Sequence, residues 1–300
     1  MRKIQKEFTD EEIEVRRKIS LGLYVLAVIL TIVMLILLFN MEFNTLIMGA
    51  IMAVLVLSFI IATDLKFRIH PYLAKSLMEK IHTDTLTITY SQQAGIPEKY
   101  FREANFIKKY DHYQSFDFIL GKLKEKDFIL SGLSIKNLSK TTEKKELQVV
   151  YSGIFGMTDF LNEDNIDMII APDINNKFLN GIFEDMKKSL GMNQKIVRLE
   201  NPEFERYFEV FCNDQVAARK IITLGFMEKM VYFRELMKKD VTLIYKNHKI
   251  YFFVDNRLVV DSNKLYFRGV NEETIQETTE FIKLLGEIVT NVATSRTDMK

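Results

Sequence analysis

The sequence contains one cysteine, Cys212, which is the side chain best suited to nucleophilic chemistry. It follows the apolar residues Val210 and Phe211 in a stretch typical of a strand. A nucleophilic thiolate needs a neighbouring base or cation, whereas a thiol among apolar residues is usually a small buried hydrophobe. One cysteine cannot form an internal disulfide, which favours a reducing compartment. We therefore interpret Cys212 as a core residue.

The four histidines do not have the sequence spacing of metal ligands. His70 and His82 are twelve residues apart, and His112 and His248 are isolated. Ligand pairs in known zinc motifs have only about two to five residues between them. The sequence therefore predicts neither a metal site nor a bound cofactor.

Phosphate-binding and nucleophile motifs are also missing from the sequence. Gly153 and Gly156 enclose two apolar residues, a pattern too short and too apolar for a phosphate loop. Residues 131–134 read Ser-Gly-Leu-Ser, whereas a nucleophile elbow requires a second glycine. Catalytic residues can assemble from distant positions, so an enzyme with an unrecognised site stays open as an alternative.

Neighbouring carboxylates occur where helix capping or solvent exposure explains them. Glu203 and Glu205 follow Asn201 at a helix start, where acidic residues favour the positive end of the helix. Glu163 and Asp164 suit an exposed position better than paired acid–base catalysis. We therefore predict no catalytic residue and favour a non-enzyme.

The charge balance argues against nucleic-acid binding. The 300-residue chain has a net charge of +1 and a pI near 7.7. Nucleic-acid binders normally show a strong basic excess or a basic face. We expect no nucleic-acid partner.

Two uncharged stretches, 19–39 and 43–63, have the length and composition of transmembrane helices. About 20 helical residues cross the ~30 Å hydrocarbon layer of a bilayer. A soluble alternative would need protein on every side of both helices. The first stretch is too long for a typical signal peptide, and a second one follows directly. We therefore predict a transmembrane hairpin over 19–63, preceded by a cytoplasmic segment, 1–18.

The lysines and arginines around the two stretches predict that both chain ends lie in the cytoplasm. The connector 40–42 contains none of them, and basic loops face the cytoplasm. The basic residues before the first stretch are Arg2, Lys3, Lys6, Arg16, Arg17 and Lys18, and those after the second are Lys66, Arg68, Lys75 and Lys80.

Small residues predict how the two helices pack. Gly49 and Ala53 on the second helix, and Ala27 and Thr31 on the first, have the spacing that lets helices approach closely. Neither stretch carries an ionisable residue, which disfavours a monomeric transporter. An accessory subunit of a channel or transporter stays open.

The remainder, 64–300, reads as a cytoplasmic α+β domain with mostly antiparallel strands. The predicted helices are 66–82, 96–106, 201–205, 215–238 and a last one from Asn271, and the predicted strands are 86–90, 116–123, 128–135, 147–155, 166–171, 196–199, 209–212, 241–245 and 250–254, with 258–260 and 265–267 as added edge pairing.

Two further features of this region carry expectations about its organisation. Asp214 and Arg219 are placed to form a structural ion pair between a strand and a helix. The lysine-rich stretch 136–146 reads as a solvated hairpin loop, and contact of its lysines with anionic headgroups is the alternative. We treat 64–300 as one domain, with a division into two lobes, 83–190 and 193–292, left open.

One stretch resembles a known family. Residues 199–223 read Leu-Glu-Asn-Pro-Glu-Phe-Glu-Arg-Tyr-Phe-Glu-Val-Phe-Cys-Asn-Asp-Gln-Val-Ala-Ala-Arg-Lys-Ile-Ile-Thr and are similar to the signature of the bacterial domain of unknown function 3137. An aromatic-Gly-x-Phe pattern of that family matches 151–155, whereas Cys212 and Phe226 depart from its pattern. Members typically have two N-terminal membrane spans. The resemblance implies a bacterial membrane protein and supplies no activity, so no catalytic residue carries over.

The function these observations favour is a membrane-tethered cytoplasmic binding or scaffold module of the bacterial inner membrane. The expected partners are the lipid bilayer and unidentified proteins, including a second copy of the chain. The alternatives are a membrane-bound enzyme and an accessory subunit of a channel or transporter.

Overall fold

The computed structural model describes residues 8–39, 45–81, 83–124, 126–138, 146–160, 166–173, 196–255 and 258–291. The chain forms two compact units. The first contains 1–80 and 261–276, and the second contains 81–260 and 277–300. We call them the helical unit and the sheet unit.

The elements in the described residues follow the α+β pattern predicted from the sequence. The helices are α1 (Asp10–Phe39), α2 (Thr45–Glu79), α3 (Glu98–Ala104), α4 (Pro202–Tyr207), α5 (Gln215–Ile221), α6 (Leu224–Met237), α7 (Ser262–Arg268) and α8 (Glu272–Asn291). The strands are β1 (Leu86–Ser91), β2 (His112–Leu123), β3 (Lys126–Leu138), β4 (Leu147–Asp159), β5 (Met168–Pro172), β6 (Phe208–Cys212), β7 (Val241–Lys246) and β8 (Lys249–Asp255).

Helix α1 begins well before the apolar stretch 19–39, at a reciprocal cap. The Thr9 hydroxyl accepts a hydrogen bond from the Glu12 amide at 3.2 Å. The Glu12 carboxylate accepts one from the Thr9 amide at 3.1 Å. This capping box satisfies two amides that the first turn would otherwise leave without partners. Residues 10–18 are therefore helical and continuous with the first apolar stretch.

Helix α2 unites the second apolar stretch with the predicted helix 66–82. Pro71 lies inside it, so the carbonyl of Phe67 lacks its usual helical donor. The helices pack antiparallel, because Ser20 meets Ala62 near one end of the contact and Asp10 meets Ser76 further along. The predicted antiparallel hairpin is confirmed in this respect.

The predicted contact through Gly49 and Ala53 is wrong, since both residues are exposed. Ser58 and Ala62 are buried instead, as is Ala27 of α1. Ser58 and Ala62 are also four residues apart and present small side chains to the contact. The small-residue spacing that favours close packing therefore occurs one turn or more further along α2 than predicted.

One antiparallel sheet organises the sheet unit. Its strand order is β1-β2-β3-β4-β8-β7-β5-β6, with eight strands in the described residues. Every pairing is antiparallel, which confirms the predicted strand orientation. Strands β7 and β8 lie between β4 and β5, so the sheet takes strands from both of the stretches 83–190 and 193–292.

The predicted single helix 215–238 is wrong, because the chain breaks it into α5 and α6. Ile222 has non-helical backbone angles, φ −87° and ψ 83°. The Thr223 hydroxyl then accepts a hydrogen bond from the Phe226 amide at 3.3 Å and caps α6. A threonine that competes for backbone donors in this way starts a new helix.

Three short strand predictions, 196–199, 258–260 and 265–267, are also wrong. Ile196 forms only an isolated bridge with Phe211, and 197–199 form no strand. Residues 265–267 belong to α7, whose start is capped by the carboxylate of Asp261, and 258–260 form no strand. Leu265 and Tyr266 are buried by helical packing rather than by edge pairing.

Candidate functional site

Cys212 is buried at the end of β6. Its thiol donates to the carbonyl oxygen of Asp214 at 3.2 Å. Burial raises the pKa of the Cys212 thiol above its ordinary value of 9.0. A thiol that stays protonated at neutral pH is a poor nucleophile, so the geometry favours the core role predicted from the sequence.

Asp214 and Arg219 do not form the predicted ion pair within the described residues. The Asp214 carboxylate accepts hydrogen bonds from the amides of Val216 and Ala217 at 3.0 and 2.9 Å, which caps α5. The Arg219 guanidinium donates to the carbonyl oxygen of Arg198 at 3.3 Å. The capping role was predictable from sequence, but the arginine contact depends on how 196–199 pack.

The paired carboxylates have structural roles where the structure describes them. Glu205 accepts a hydrogen bond from the Leu199 amide at 2.8 Å, and Glu203 is exposed in the first turn of α4. Glu163 and Asp164 lie outside the described residues. The capping interpretation of the first pair therefore agrees with the geometry.

The glycine and serine patterns lie within paired strands. Gly153 and Gly156 belong to β4, and a side chain at Gly156 would run into the ring of Phe252 on β8. Ser131 is buried on β3 and accepts a hydrogen bond from the Ser115 hydroxyl at 2.7 Å. Glycine at 156 therefore serves close packing between strands.

The three histidines in the described residues lie on different elements. His70 lies on α2, His112 at the start of β2, and His248 in the turn between β7 and β8. His82 lies outside the described residues. No group of three or more possible metal ligands occurs in the part of the chain that the structure describes.

Two buried tyrosines of the sheet unit have hydroxyls without a hydrogen-bond partner among the described residues, Tyr151 and Tyr245. Burial raises the pKa of both phenols. Tyr251 differs, because its hydroxyl donates to the carboxylate of Glu103 at 3.0 Å. A phenol with a raised pKa stays protonated and acts as a donor rather than a base.

A connected polar cluster lies in the helical unit and centres on Arg17. Its guanidinium donates to both carboxylate oxygens of Glu14 at 2.7 Å. Its Nη1 atom donates to the carbonyl oxygens of Tyr266 and Phe267 at 3.0 and 3.1 Å. These carbonyls belong to the last turn of α7, which a cation stabilises. Arg17 is 7% exposed, so these contacts hold a nearly buried charge.

Ser20 extends this cluster towards the apolar part of the hairpin. Its hydroxyl donates to the carbonyl oxygen of Ala62 at 2.7 Å and lies 2.6 Å from the Tyr266 hydroxyl. One turn further on, the Tyr24 and Thr63 hydroxyls are 3.1 Å apart. Polar contacts therefore connect α1, α2 and α7 around Ser20 and Ala62, at one end of the two apolar stretches.

A cavity of about 430 Å³ opens beside the cluster, within the helical unit. Asp10 accepts hydrogen bonds there from Ser76 at 2.7 Å and Lys80 at 2.8 Å. The cavity is lined by Asp10, Glu11, Ile13, Glu14, Val15, Leu73, Ser76, Lys80 and Val270. Two of its acidic residues already have partners: Asp10 binds Ser76 and Lys80, and Glu14 binds Arg17. The contacts of Asp10 therefore stabilise the packing of α1 against α2.

The electrostatics of the cluster agree with this role. Hydrogen bonds from Lys80 and Ser76 lower the pKa of the Asp10 carboxyl. Hydrogen bonds from Arg17 lower the pKa of the Glu14 carboxyl, and those to Glu14 raise the pKa of Arg17. All three groups are therefore held in their charged forms. Sequence analysis missed the cluster, although the Thr-x-x-Glu pattern at 9–12 indicates the start of α1.

The geometry defines an α+β protein with two long apolar N-terminal helices packed together and an antiparallel eight-stranded sheet with helices, within the described residues. Residues 149–293, just under half of the chain, match the family described as "Protein of unknown function (DUF3137)". The chain therefore carries a DUF3137 domain over these residues, which confirms that part of the resemblance at 199–223.

The solved structures include a distant match. The crystal structure of the mycobacterial trehalose monomycolate transport factor A, TtfA, is 9% identical in sequence, with a TM-score of 0.31. The match covers 72% of this chain and 95% of that chain. A likeness of this degree supports no statement about function. No curated protein has a significant sequence match to the chain.

Proposed function

We propose that the chain is a protein of the bacterial inner membrane in which α1 and α2 tether a cytoplasmic binding or scaffold module. The supporting observation is the exposure of the two apolar helices. Only 6% and 11% of their most apolar windows are buried inside the protein. A core helix of a soluble protein would be mostly buried, so lipid is the better surrounding for these surfaces.

The cytoplasmic end of α1 argues against a cleaved signal sequence. Asp10 contacts Ser76 and Lys80 of the α2 region, and Arg17 contacts the last turn of α7. A helix that takes part in a folded unit through buried polar contacts is an anchor rather than a removable leader.

The proposed binding role is supported by three exposed apolar side chains on one side of α6, a side that also carries the exposed Glu228 and Glu235. Leu224, Tyr232 and Leu236 are eight and four residues apart, so they lie on one side of the helix, and all three are exposed. Exposed aromatic and aliphatic residues grouped on one face are characteristic of protein-binding surfaces. The face lies within the DUF3137 domain, and we propose that it contacts a protein partner.

Cysteine accessibility tests the membrane arrangement. In a Cys212→Ala background, Glu42→Cys should react with a membrane-impermeant maleimide in intact spheroplasts, whereas Lys18→Cys should react only after lysis. Gln215→Cys, at an exposed position of α5, should behave like Lys18→Cys. Labelling of Lys18→Cys in intact spheroplasts would contradict the proposed orientation.

Site-specific photo-crosslinking tests the binding face. Benzoylphenylalanine at Tyr232 should give discrete crosslinked species in cells, which mass spectrometry identifies as a second copy or another protein. The matched control is Thr87, an exposed position on β1. Equal crosslinking at both positions, or none at Tyr232, would contradict a specific partner.

A further inference from the structure

Helix α7 has one face packed within the helical unit and another that is exposed, basic and aromatic. Leu265 and Tyr266 are buried, whereas Phe267 is 66% exposed. Lys264 and Arg268 are also exposed. A short helix with this division of side chains is amphipathic, and its outer face combines a large apolar ring with cations.

The hydrogen bonds of Tyr266 place α7 at the end of the apolar stretches. Its hydroxyl lies 2.6 Å from Ser20, whose hydroxyl donates to the carbonyl of Ala62. Ser20 is the second residue of the uncharged stretch 19–39, and Ala62 is the second last of 43–63. The packed face of α7 therefore meets the hairpin where its hydrocarbon-length segment ends.

Helix α2 continues the same kind of surface beside α7. Phe67 is 76% exposed, and the Lys66 ammonium lies 5.0 Å from the centre of the Tyr266 ring. Arg68 is exposed and pairs with Asp64 at 2.7 Å. Aromatic and basic side chains together are the composition favoured at the boundary between hydrocarbon and headgroups.

We infer that α7 and the segment Lys66–Arg68 form an interfacial surface that binds anionic lipid headgroups beside the hairpin. This inference rests on the proposed insertion of α1 and α2. The surface is continuous along α2 with the exposed apolar residues Phe59, Ile60 and Ile61. It carries four cations, two on each helix. Arg68 pairs with Asp64 at 2.7 Å and Arg268 with Glu273 at 3.5 Å, and both pairs are exposed, so headgroup phosphates can reach and compete for these cations. Anionic headgroups complement both the charge and the depth of this surface.

Arg17 makes this surface ready for lipid before any lipid binds. Its hydrogen bonds to the carbonyls of Tyr266 and Phe267 fix the last turn of α7, which carries the exposed ring and Arg268. A preorganised surface loses little conformational entropy on binding. The segment 261–269 is therefore a third membrane contact in addition to the two helices.

Fluorescence can test the inference because the chain contains no tryptophan. Phe267→Trp and Ile32→Trp each introduce a single indole into the full-length protein, reconstituted in nanodiscs that contain phosphatidylglycerol. We expect the indole at 267 to be quenched more by lipids brominated near the headgroup than by lipids brominated deep in the acyl chain. Ile32 lies well inside the uncharged stretch 19–39, and its replacement should show the opposite preference.

The two variants separate failure of the inference from failure of the proposed function. Suppose that the indole at 267 emits as in water while the indole at 32 is quenched by lipids brominated deep in the acyl chain. This result would overturn only the lipid contact of α7, and its outer face would then be available to a protein. Absence of quenching at 32 would overturn membrane insertion and the lipid contact with it.

Charge variants test the preference for anionic lipid. Each basic residue near an anionic surface contributes on the order of fivefold in binding. In the Phe267→Trp background, Lys264→Gln with Arg268→Gln should require more phosphatidylglycerol for the same blue shift, whereas Lys220→Gln, on α5, should not. An unchanged response of the double variant, or equal quenching in purely zwitterionic nanodiscs, would overturn the headgroup assignment.

Discussion

The guanidinium of Arg17 donates to the backbone carbonyl oxygen of Tyr266 at 3.0 Å, across 249 residues of sequence. The same side chain holds Glu14 one turn away on α1. Arginine suits this position because its planar fork reaches a carboxylate and two carbonyls at once. The contact ties the last turn of α7 to the part of α1 that precedes its apolar stretch.

Arg17→Ala should therefore destabilise the helical unit by about 3 kcal/mol, since it removes several charge-assisted hydrogen bonds donated by a nearly buried guanidinium. Arg17→Lys should recover only part of this loss, because an ammonium cannot form the fork. Thermal unfolding in detergent, with amide hydrogen exchange of α7 as a local readout, measures the effect.

Lys18→Ala is the matched control for Arg17. Lys18 also pairs with Glu14, at 3.5 Å, but its side chain is 70% exposed. An exposed pair contributes about 0–1 kcal/mol, so this substitution should change little. Equal effects of the two alanine variants would contradict the proposed role of Arg17.

The helical unit should lose stability in acid. The pKa values of Asp10 and Glu14 are lowered from 3.8 and 4.5, so their ionised forms favour the folded state. This stabilisation is fully present above those ordinary values and is lost as the pH falls through the lowered folded values. Glu14→Gln should flatten the acid side of a plot of melting temperature against pH.

Glu11→Gln provides the comparison for this acid dependence, because it removes an exposed carboxylate from the same part of α1. It should retain the parent's loss of stability in acid. A parent-like acid profile in Glu14→Gln would show that the Arg17 contact does not contribute to it.

Two glycines should respond to alanine with opposite signs. At Gly156, a Cβ atom would collide with the Phe252 ring and the Ile129 carbonyl, and overpacking of this kind costs about 1–3 kcal/mol. At Gly225, on α6, a Cβ atom would meet nothing within 4 Å. Gly225→Ala should gain about 0.5 kcal/mol through helix propensity. Unfolding of both variants in denaturant measures the difference, and a loss at 225 matching that at 156 would contradict the packing argument.

Cys212 should react with a maleimide only when the sheet unit opens. The thiol is fully buried, and burial raises its pKa, so little thiolate is available at neutral pH. Labelling followed by mass spectrometry should show slow reaction in buffer and rapid reaction in denaturant. Gln215→Cys in a Cys212→Ala background reports the rate of an exposed thiol, and a similar rate at Cys212 would contradict its burial.

Local signals in the sequence predicted much of the fold. Asn201 accepts the Phe204 amide as a helix cap should, at 3.0 Å. Asn247 and His248 have positive φ angles of 51° and 55°, as a two-residue hairpin turn requires. Each of these features depends on residues within a few positions of one another, which is why residue type and spacing were sufficient.

The polar cluster was not predictable in the same way. Leu265, Tyr266 and Phe267 form an apolar run too short for periodicity to distinguish a strand from a helix. Burial beside Ser20 and the hydrogen bonds from Arg17 decide in favour of a helix. Those partners are distant in sequence, so no local pattern indicates them.

The grouping of 261–276 with 1–80 has a consequence for biosynthesis. Helices α1 and α2 precede the sheet in the chain, whereas α7 follows all eight of its described strands, so α7 is translated after them. Until then Arg17 has no carbonyl acceptors from α7. A nonsense codon or proteolytic cut shortly before 261 should therefore deprive Arg17 of these acceptors, in addition to removing the part of α8 that belongs to the sheet unit.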